Sequence, residues 1–159
     1  IEKFVLKNDV ASAIKKINWS QYLAIVVTNQ PVIARGEVTL EGLDYIHKKM
    51  ETELGKQGAF LDATFFCPHH PDKGFVGELL EYKVECNCRK PKPGMLLHAA
   101  KKYNIDLKQS WMIGDGKNDI LAGKKAGCKT CLIGENSYGQ DYTAVSLTQA
   151  VDYILLDKN

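Results

Sequence analysis

Four side chains able to bind a metal stand in two close pairs near the middle of the sequence. The pairs have the pattern Cys-x-His and Cys-x-Cys, at Cys67, His69, Cys86 and Cys88. Three thiolates and an imidazole favour tetrahedral zinc, and four protein ligands make a closed, structural site. His70 competes with its neighbour as the imidazole ligand. The other interpretations are a polar loop without metal and a nucleic-acid-reading zinc finger, although the spacing departs from that of such fingers.

Two cations, Arg89 and Lys90, follow the last of these ligands directly. Because zinc with three thiolates carries a charge of about −1, cations beside it are favourable in any case. Their alternative role is to bind a phosphate, with the arginine as a bidentate fork and the lysine as a point charge. A loop stiffened by metal would hold both side chains rigidly, as a binding site requires.

Polar residues follow two apolar runs that are typical of strands. Thr28, Asn29 and Gln30 come after LAIVV, where hydroxyl, amide and backbone N–H groups can hold an anion or simply form a polar turn. Asp115 and Asp119 come after WMIG. Carboxylates there suit Mg²⁺, which takes one or two of them together with phosphate oxygens. The second aspartate has an alternative role at the positive end of a helix.

The elements that must position these residues alternate between helix and strand. Amphipathic spacing and capping residues predict helices at residues 8–18, 39–55, 93–103, 119–127 and 146–151. Apolar runs predict strands at residues 23–27, 62–66, 111–114, 128–133 and 153–156, the first of them buried on both faces. This alternation predicts an α/β fold with a mostly parallel sheet flanked by helices. Chemistry in such sheets lies beyond the carboxyl ends of the strands.

The composition excludes several classes of protein. A chain of 159 residues that is 45% hydrophobic and 25% charged suits one folded domain, and its net charge of +2 argues against a dedicated nucleic-acid binder. No apolar run approaches the roughly 20 residues that a membrane span needs. Five cysteines without a signal-peptide pattern indicate a reducing, cytoplasmic location rather than a disulfide framework. We expect Cys128 and Cys131 to be buried thiols, and His47 and His98 to be ordinary helix residues.

Four segments taken together resemble one known family. They are VVTNQ with IARG, CPHHP, CNCRKPKPGM, and IGDGKNDILAGKKAG. These segments are similar to the D,D-heptose 1,7-bisphosphate phosphatases, in the histidinol-phosphate phosphatase-related branch of the haloacid dehalogenase superfamily. The resemblance covers about residues 3–134. The zinc loop with its CRKPxPGM continuation is the specific part, whereas the GDxxxD element marks only the superfamily.

The resemblance implies a Rossmann-like sheet of the haloacid dehalogenase type. It also implies Mg²⁺-dependent removal of phosphate from a sugar phosphate through an aspartyl-phosphate intermediate. Thr28 and Asn29, with Gln30 beside them, match the motif that holds the phosphoryl group. Lys90 matches the cation that stabilises this group, and Arg89 matches a substrate-phosphate contact. The remaining matches are Asp115 as the Mg²⁺ ligand, Asp119 as the supporting carboxylate, and Cys67, His69, Cys86 and Cys88 as the ligands of a structural zinc.

The sequence departs from the family pattern in three places. Pro31 and Val32 replace the usual Ser-Gly, and Gly116 displaces the lysine that often follows the aspartate to Lys117. More seriously, the family's nucleophile lies in a D-x-D-G-T element on a central first strand, and no D-x-D element occurs in this sequence. Loss of a central strand would leave backbone groups of both its neighbours unpaired. We therefore expect the strand to belong to the natural protein, either as a short segment before residue 1 or as part of a larger, bifunctional chain.

Two hypotheses of different classes follow. In the first, residues 1–159 form a single phosphatase-like domain that lacks its nucleophile strand and acts, when complete, on a phosphorylated sugar. In the second, the chain is a catalytically inactive, zinc-stabilised relative that binds a phosphorylated ligand or a partner domain. In either case we expect a monomer that binds neither nucleic acid nor membrane.

Overall fold

Helices and short strands alternate along residues 4–156, the part of the chain that the computed structural model describes. The strands are β1 (Ile25–Asn29), β2 (Ala63–Cys67), β3 (Trp111–Gly114), β4 (Lys129–Ile133) and β5 (Tyr142–Ala144). The helices are α1 (Val10–Asn18), α2 (Leu40–Lys56), α3 (Gly94–Tyr103), α4 (Lys117–Ala126) and α5 (Leu147–Leu156). Among these helices, none combines the length and the apolar character that a membrane crossing requires.

The strands form two separate parallel sheets. One sheet pairs β1 with β2, and the other has the order β3-β4-β5. The crossovers between parallel neighbours contain α2, α4 and a loop, as parallel pairing requires. This architecture confirms the predicted α/β class. Within the described range, β1 and β3 are not paired with each other, and a groove of about 570 Å³ lies between them.

Helices on both faces hold the two sheets side by side. On one face, α1 buries Ala11 and Ile14 against Ala24 and also packs on α5, where the Lys16 ammonium lies 2.7 Å from the Asp152 carboxylate. On the other face, α3 contacts both β2 and α4. Each of these helix layers therefore bridges the groove without filling the space between the strand edges.

The structure corrects the prediction at the end of the chain. Residues 153–156 are the last turn of α5 rather than a strand, since Val151 and Ile154 are buried three positions apart on one helical face. A short apolar run does not distinguish a strand from a buried helix by itself. The actual last strand, β5, has three residues and was not predicted, because it is too short to show a periodicity.

The structure also corrects the predicted environment and bounds of the first strand. β1 is half-buried along its whole length rather than buried on both faces, because the groove leaves it open on one side. It begins and ends two residues later than predicted, so Thr28 and Asn29 are its last residues rather than the start of a loop. Similarly, α4 begins at Lys117, two residues before Asp119.

Candidate active site and metal centre

The two predicted ligand pairs meet in space beyond the end of β2. The Sγ atom of Cys67 lies 3.6 Å from Cys86 Sγ and 3.0 Å from Cys88 Sγ. The Nδ1 atom of His69 lies 3.6 Å from Cys67 Sγ and 3.4 Å from Cys88 Sγ. All four donor atoms are within 4.8 Å of one another. The loop of residues 68–85 therefore closes on itself at its base.

Three of these separations, at 3.4–3.6 Å, are close to those around a tetrahedral zinc ion, whereas the 3.0 Å between the Cys67 and Cys88 sulfur atoms is shorter. Zinc bonds of about 2.3 Å to sulfur and 2.0 Å to nitrogen place tetrahedral donors about 3.5–3.8 Å apart. The competing imidazole of His70 is engaged elsewhere, because its Nδ1 accepts a hydrogen bond from the Asp72 backbone N–H at 3.2 Å. The structure thus brings His69, and not its neighbour, to the three thiols.

The protonation of the thiols depends on burial. Burial raises the pKa of the Cys67 and Cys88 thiols. For Cys86, burial is outweighed by hydrogen bonds from the Arg89 backbone N–H, at 3.4 Å, and from the neighbouring thiols, so its pKa is lowered. Because zinc binds thiolates, loading this cluster releases protons.

The loop that carries this cluster, residues 67–88 and called the zinc loop below, leads directly into Lys90, which binds β1 and the first turn of α4. The Asn29 amide donates to the Lys90 carbonyl and accepts from the Lys90 backbone N–H, both at 3.0 Å. The Lys90 ammonium donates to the Val27 carbonyl at 3.0 Å and to the Asp119 carboxylate at 2.7 Å. Both charged side chains are almost buried, with 12% and 13% of their surface exposed. The Asn29 side chain therefore positions Lys90 by binding the backbone of that lysine.

A close approach between β3 and α4 orients the carboxylate that faces this lysine. The second oxygen of Asp119 accepts a hydrogen bond from the Gly116 backbone N–H at 3.1 Å, which caps the first turn of α4. A Cβ atom at Gly114 would lie 2.3–2.4 Å from the Asp119 side chain, so only glycine fits there. Sequence reasoning missed this role of Gly114, although a glycine before the aspartate of GDxxxD is a visible signal.

Asp115 differs from Asp119 in that its carboxylate has no hydrogen-bond or ion-pair partner among residues 4–156. Its side chain is exposed. Asp115, Asp119 and Lys90 all line the groove between β1 and β3, close to the carboxyl ends of these strands. The arrangement can hold a divalent cation beside an ammonium group, which is suited to a phosphate ester.

The other predicted residues lie next to this groove rather than in its lining, which does not include Thr28, Asn29, Gln30 or Arg89. The Gln30 side-chain amide donates to Thr28 Oγ1 at 3.1 Å, and the Arg89 guanidinium donates to the His69 carbonyl at 3.3 Å. Since a guanidinium has five N–H donors, the bond to His69 leaves others for a ligand. Their direct contact with a phosphate remains a prediction.

Comparison with known proteins places this geometry in a class. Residues 87–157 match the family model described as HAD-hydrolase-like, a range that includes Lys90, Asp115 and Asp119. The crystal structure of D,D-heptose 1,7-bisphosphate phosphatase from B. bronchiseptica, complexed with magnesium and phosphate, superposes with a TM-score of 0.82 and 29% identity. The superposition covers 98% of this chain and 87% of that one. The family match and the superposition place the fold in the class of haloacid dehalogenase-like hydrolases.

Curated relatives narrow the class to a family. The D-glycero-beta-D-manno-heptose-1,7-bisphosphate 7-phosphatase of Rhodopseudomonas palustris is 41% identical over 118 residues, which cover 74% of this chain and 63% of the relative. The enzyme of the same name from Haemophilus ducreyi is 35% identical over 97% of this chain and 87% of its own length. The chain therefore belongs to the heptose-1,7-bisphosphate 7-phosphatase family, which confirms the resemblance seen in its motifs.

The matches do not span all relatives to the same extent. The aligned part covers 63% of the Rhodopseudomonas palustris protein and 58% of the Vibrio cholerae one, compared with 87% of the Haemophilus ducreyi protein. The activity of the complete protein is accordingly a matter of proposal.

Proposed function

We propose that this chain forms most of a Mg²⁺-dependent phosphatase that hydrolyses a sugar phosphate of the heptose bisphosphate kind. One observation carries the proposal. An almost buried ammonium group, Lys90, is paired with the Asp119 carboxylate, and both line one groove with the unpaired Asp115 carboxylate, close to the carboxyl ends of β1 and β3. Phosphoryl transfer depends mainly on such positioning and on charge neutralisation. The relatives named for heptose 1,7-bisphosphate support the substrate class.

The groove between β1 and β3 provides a place for the missing nucleophile. Its walls are two strand edges, with Ile25 and Val27 on one side and Met112 and Ile113 on the other. An apolar strand entering parallel to both would satisfy both edges. Its carboxyl end would then lie beside Lys90. On this proposal, residues 1–159 are one phosphatase-like domain, completed by a strand that carries the reactive aspartate and belongs to a longer chain.

The donor set fits Mg²⁺. Asp115 offers a carboxylate with no competing partner among residues 4–156, and it would hold the ion together with phosphate oxygens, with Asp119 in support. The bound ion would neutralise charge on the phosphate. Lys90 would stabilise the same phosphate, Thr28 and Gln30 would hold its oxygens, and Asn29 would keep the lysine in place.

The proposed reaction has two steps. The nucleophilic carboxylate attacks phosphorus, the bond between phosphorus and the sugar oxygen breaks, and the sugar oxygen takes a proton from water. The resulting hydroxide then attacks the phosphorus of the aspartyl phosphate, which releases inorganic phosphate and restores the carboxylate. Arg89, fixed to the zinc loop, would contact phosphate on the substrate.

The remaining proposals concern the metal cluster and the cell. Zinc is proposed as the resident of the Cys/His cluster, with a structural role, because the donor set is closed. All five cysteines are free, in keeping with a reducing cytoplasm. We expect a monomer.

The decisive experiment restores the strand. Residues 1–159 are compared with the same chain extended at its N-terminus by an apolar strand ending in Asp-x-Asp-Gly-Thr, and with a matched extension in which both aspartates are asparagine. Phosphate release is measured from heptose 1,7-bisphosphate, histidinol phosphate and an aryl phosphate, with and without Mg²⁺. Of these three chains, we expect turnover only from the one that carries the Asp-x-Asp extension.

Two results would contradict the proposal. Clear Mg²⁺-dependent activity from the unextended 159 residues would show that the nucleophile is placed wrongly. A natural upstream sequence without both aspartates would favour the inactive relative that binds a phosphorylated ligand or partner domain.

A further inference from the structure

The loop between the two ligand pairs contains a buried charge that the proposed function does not use. Lys83 is 1% exposed, and within residues 4–156 it is the one charged residue in the buried class. Its ammonium donates to the Asp72 carbonyl at 2.6 Å and lies 3.5 Å from a Glu78 carboxylate oxygen. It also lies 5.0 Å from the centre of the Phe75 ring. A buried charge that is paired in this way favours one specific arrangement of the chain around it.

Glu78 organises the other side of the same loop. Its two carboxylate oxygens accept hydrogen bonds from the backbone N–H groups of Gly74, at 3.0 Å, and Phe75, at 3.3 Å. The Gly74 N–H in particular holds the pKa of Glu78 below its ordinary value, with Phe75 and Lys83 acting in the same direction against burial. Residues 72–83 thus wrap around an ion pair whose partners bind the backbone at three places.

This wrapped loop packs against the loop that follows β1. The Leu79 backbone N–H donates to the Ala34 carbonyl at 2.9 Å. A Cβ atom at Gly36 would lie 2.1 Å from the Gly77 carbonyl oxygen, so the two backbones are in close contact. The loop of residues 31–38 comes directly after Gln30.

Both loops begin beside Gln30, whose backbone N–H donates to the Cys67 carbonyl at 2.8 Å, and neither contributes to the lining of the groove that contains Lys90 and Asp115. They leave the carboxyl ends of the adjacent parallel strands β1 and β2, where ligands of such sheets bind. The base of the second loop is fixed by the Cys/His cluster, whereas the contacts with residues 31–38 are made far from that cluster in sequence, at Gly77 and Leu79. A metal at the base does not by itself determine where these residues lie.

From these contacts we infer that Lys83 and Glu78 are positioning residues, which hold loop 72–83 against loop 31–38 and so fix the wall facing the sugar part of the ligand. This inference rests on the proposed function. It assigns recognition of the leaving group to a wall set by the ion pair, and recognition of the phosphate to the strand ends.

The test uses the chain extended by the strand in which both aspartates are asparagine, which completes the sheet without turnover, and two variants of it, Lys83→Met and Glu78→Gln. Their matched controls are Lys73→Met and Glu81→Gln, at exposed residues of the same loop. Three quantities are measured: zinc content, amide hydrogen exchange at residues 74, 75 and 79, and the affinities for heptose 1,7-bisphosphate and for inorganic phosphate. We expect exchange to be at least about tenfold faster in both variants, with zinc content unchanged.

The ligand measurements distinguish positioning from general stability. The affinity for the bisphosphate should fall about tenfold in the variants, while that for inorganic phosphate changes by about twofold at most. Unchanged amide exchange, or an equal loss of affinity for both probes, would overturn the inference. If the extended chain without either substitution binds neither probe, the proposed function fails, and the exchange measurement still decides whether the ion pair holds the two loops together.

Discussion

The zinc loop and the strand-end groove lie side by side, but they differ in completeness. The four donor atoms of the loop are within 4.8 Å of one another, close enough together to surround one metal ion. At the groove, Lys90 instead binds Asp119 and a backbone carbonyl, and the edges of β1 and β3 face each other without a strand between them among residues 4–156. The cluster draws on 22 consecutive residues, from Cys67 to Cys88, whereas the groove depends on strands brought together from distant parts of the chain. The Cys/His cluster can therefore form from one continuous segment. The groove forms a complete site only when all the strands around it are in place.

The largest expected effect comes from removing the ammonium group at the groove. In the chain extended by the Asp-x-Asp strand, Lys90→Met should lower kcat about 10²–10³-fold, because an almost buried charge that would face the transition state is lost. Zinc content should not change. The control is Lys101→Met, at an exposed position on α3. Steady-state kinetics check the prediction, and a loss below about tenfold would show that the lysine has no such role.

The next effect should appear at the zinc loop. Cys86→Ala removes one ligand, so zinc should be released and the free energy of unfolding should fall by about 3 kcal/mol or more. Elemental analysis and urea unfolding measure the two quantities. Cys128→Ala, at a half-buried thiol outside the cluster, should keep its zinc. Full zinc content in Cys86→Ala would contradict the four-ligand assignment.

A smaller effect tests the close packing behind Asp119. Gly114→Ala should destabilise the fold by about 1–3 kcal/mol, since its Cβ would collide with the Asp119 side chain and displace it from Lys90. Gly55→Ala, in α2 with no atom within 4 Å of the new Cβ, should instead stabilise by about 0.5–1 kcal/mol. Opposite signs in thermal unfolding are the expected result. Equal effects would mean that the contact at Gly114 is unimportant.

The smallest effect concerns two thiols that belong to neither region. Burial raises the pKa of Cys128 and Cys131 from 9.0 to about 11. Between pH 9 and 11 the unfolded chain loses these protons while the folded chain keeps them, so stability should fall with rising pH. Urea unfolding across this range measures the slope, and Cys131→Ala should reduce it. A slope that the variant leaves unchanged would assign the alkaline loss to other groups.

Local patterns in the sequence predicted much of both regions. The α/β class followed from the alternation of apolar runs and amphipathic helices, and the structure confirms it. Thr39 was correctly expected to begin α2, where its hydroxyl accepts from the Gly42 backbone N–H at 3.0 Å. The last turn of α5 was predicted wrongly, because four apolar residues fit a strand and a buried helix equally well.

By itself, the sequence predicted the four side chains that meet in the Cys/His cluster, the fold class and the family, because each is encoded in residue types at short, regular spacing. Only the tertiary structure decided that Asn29 binds the backbone of Lys90, 61 residues away, and that the Lys90 ammonium donates to the Asp119 carboxylate. It also decided that Lys83 is buried at the centre of the zinc loop. Such contacts leave no periodic signal in the sequence, because they form between side chains and backbone groups that only the packing of separate elements brings within hydrogen-bond distance.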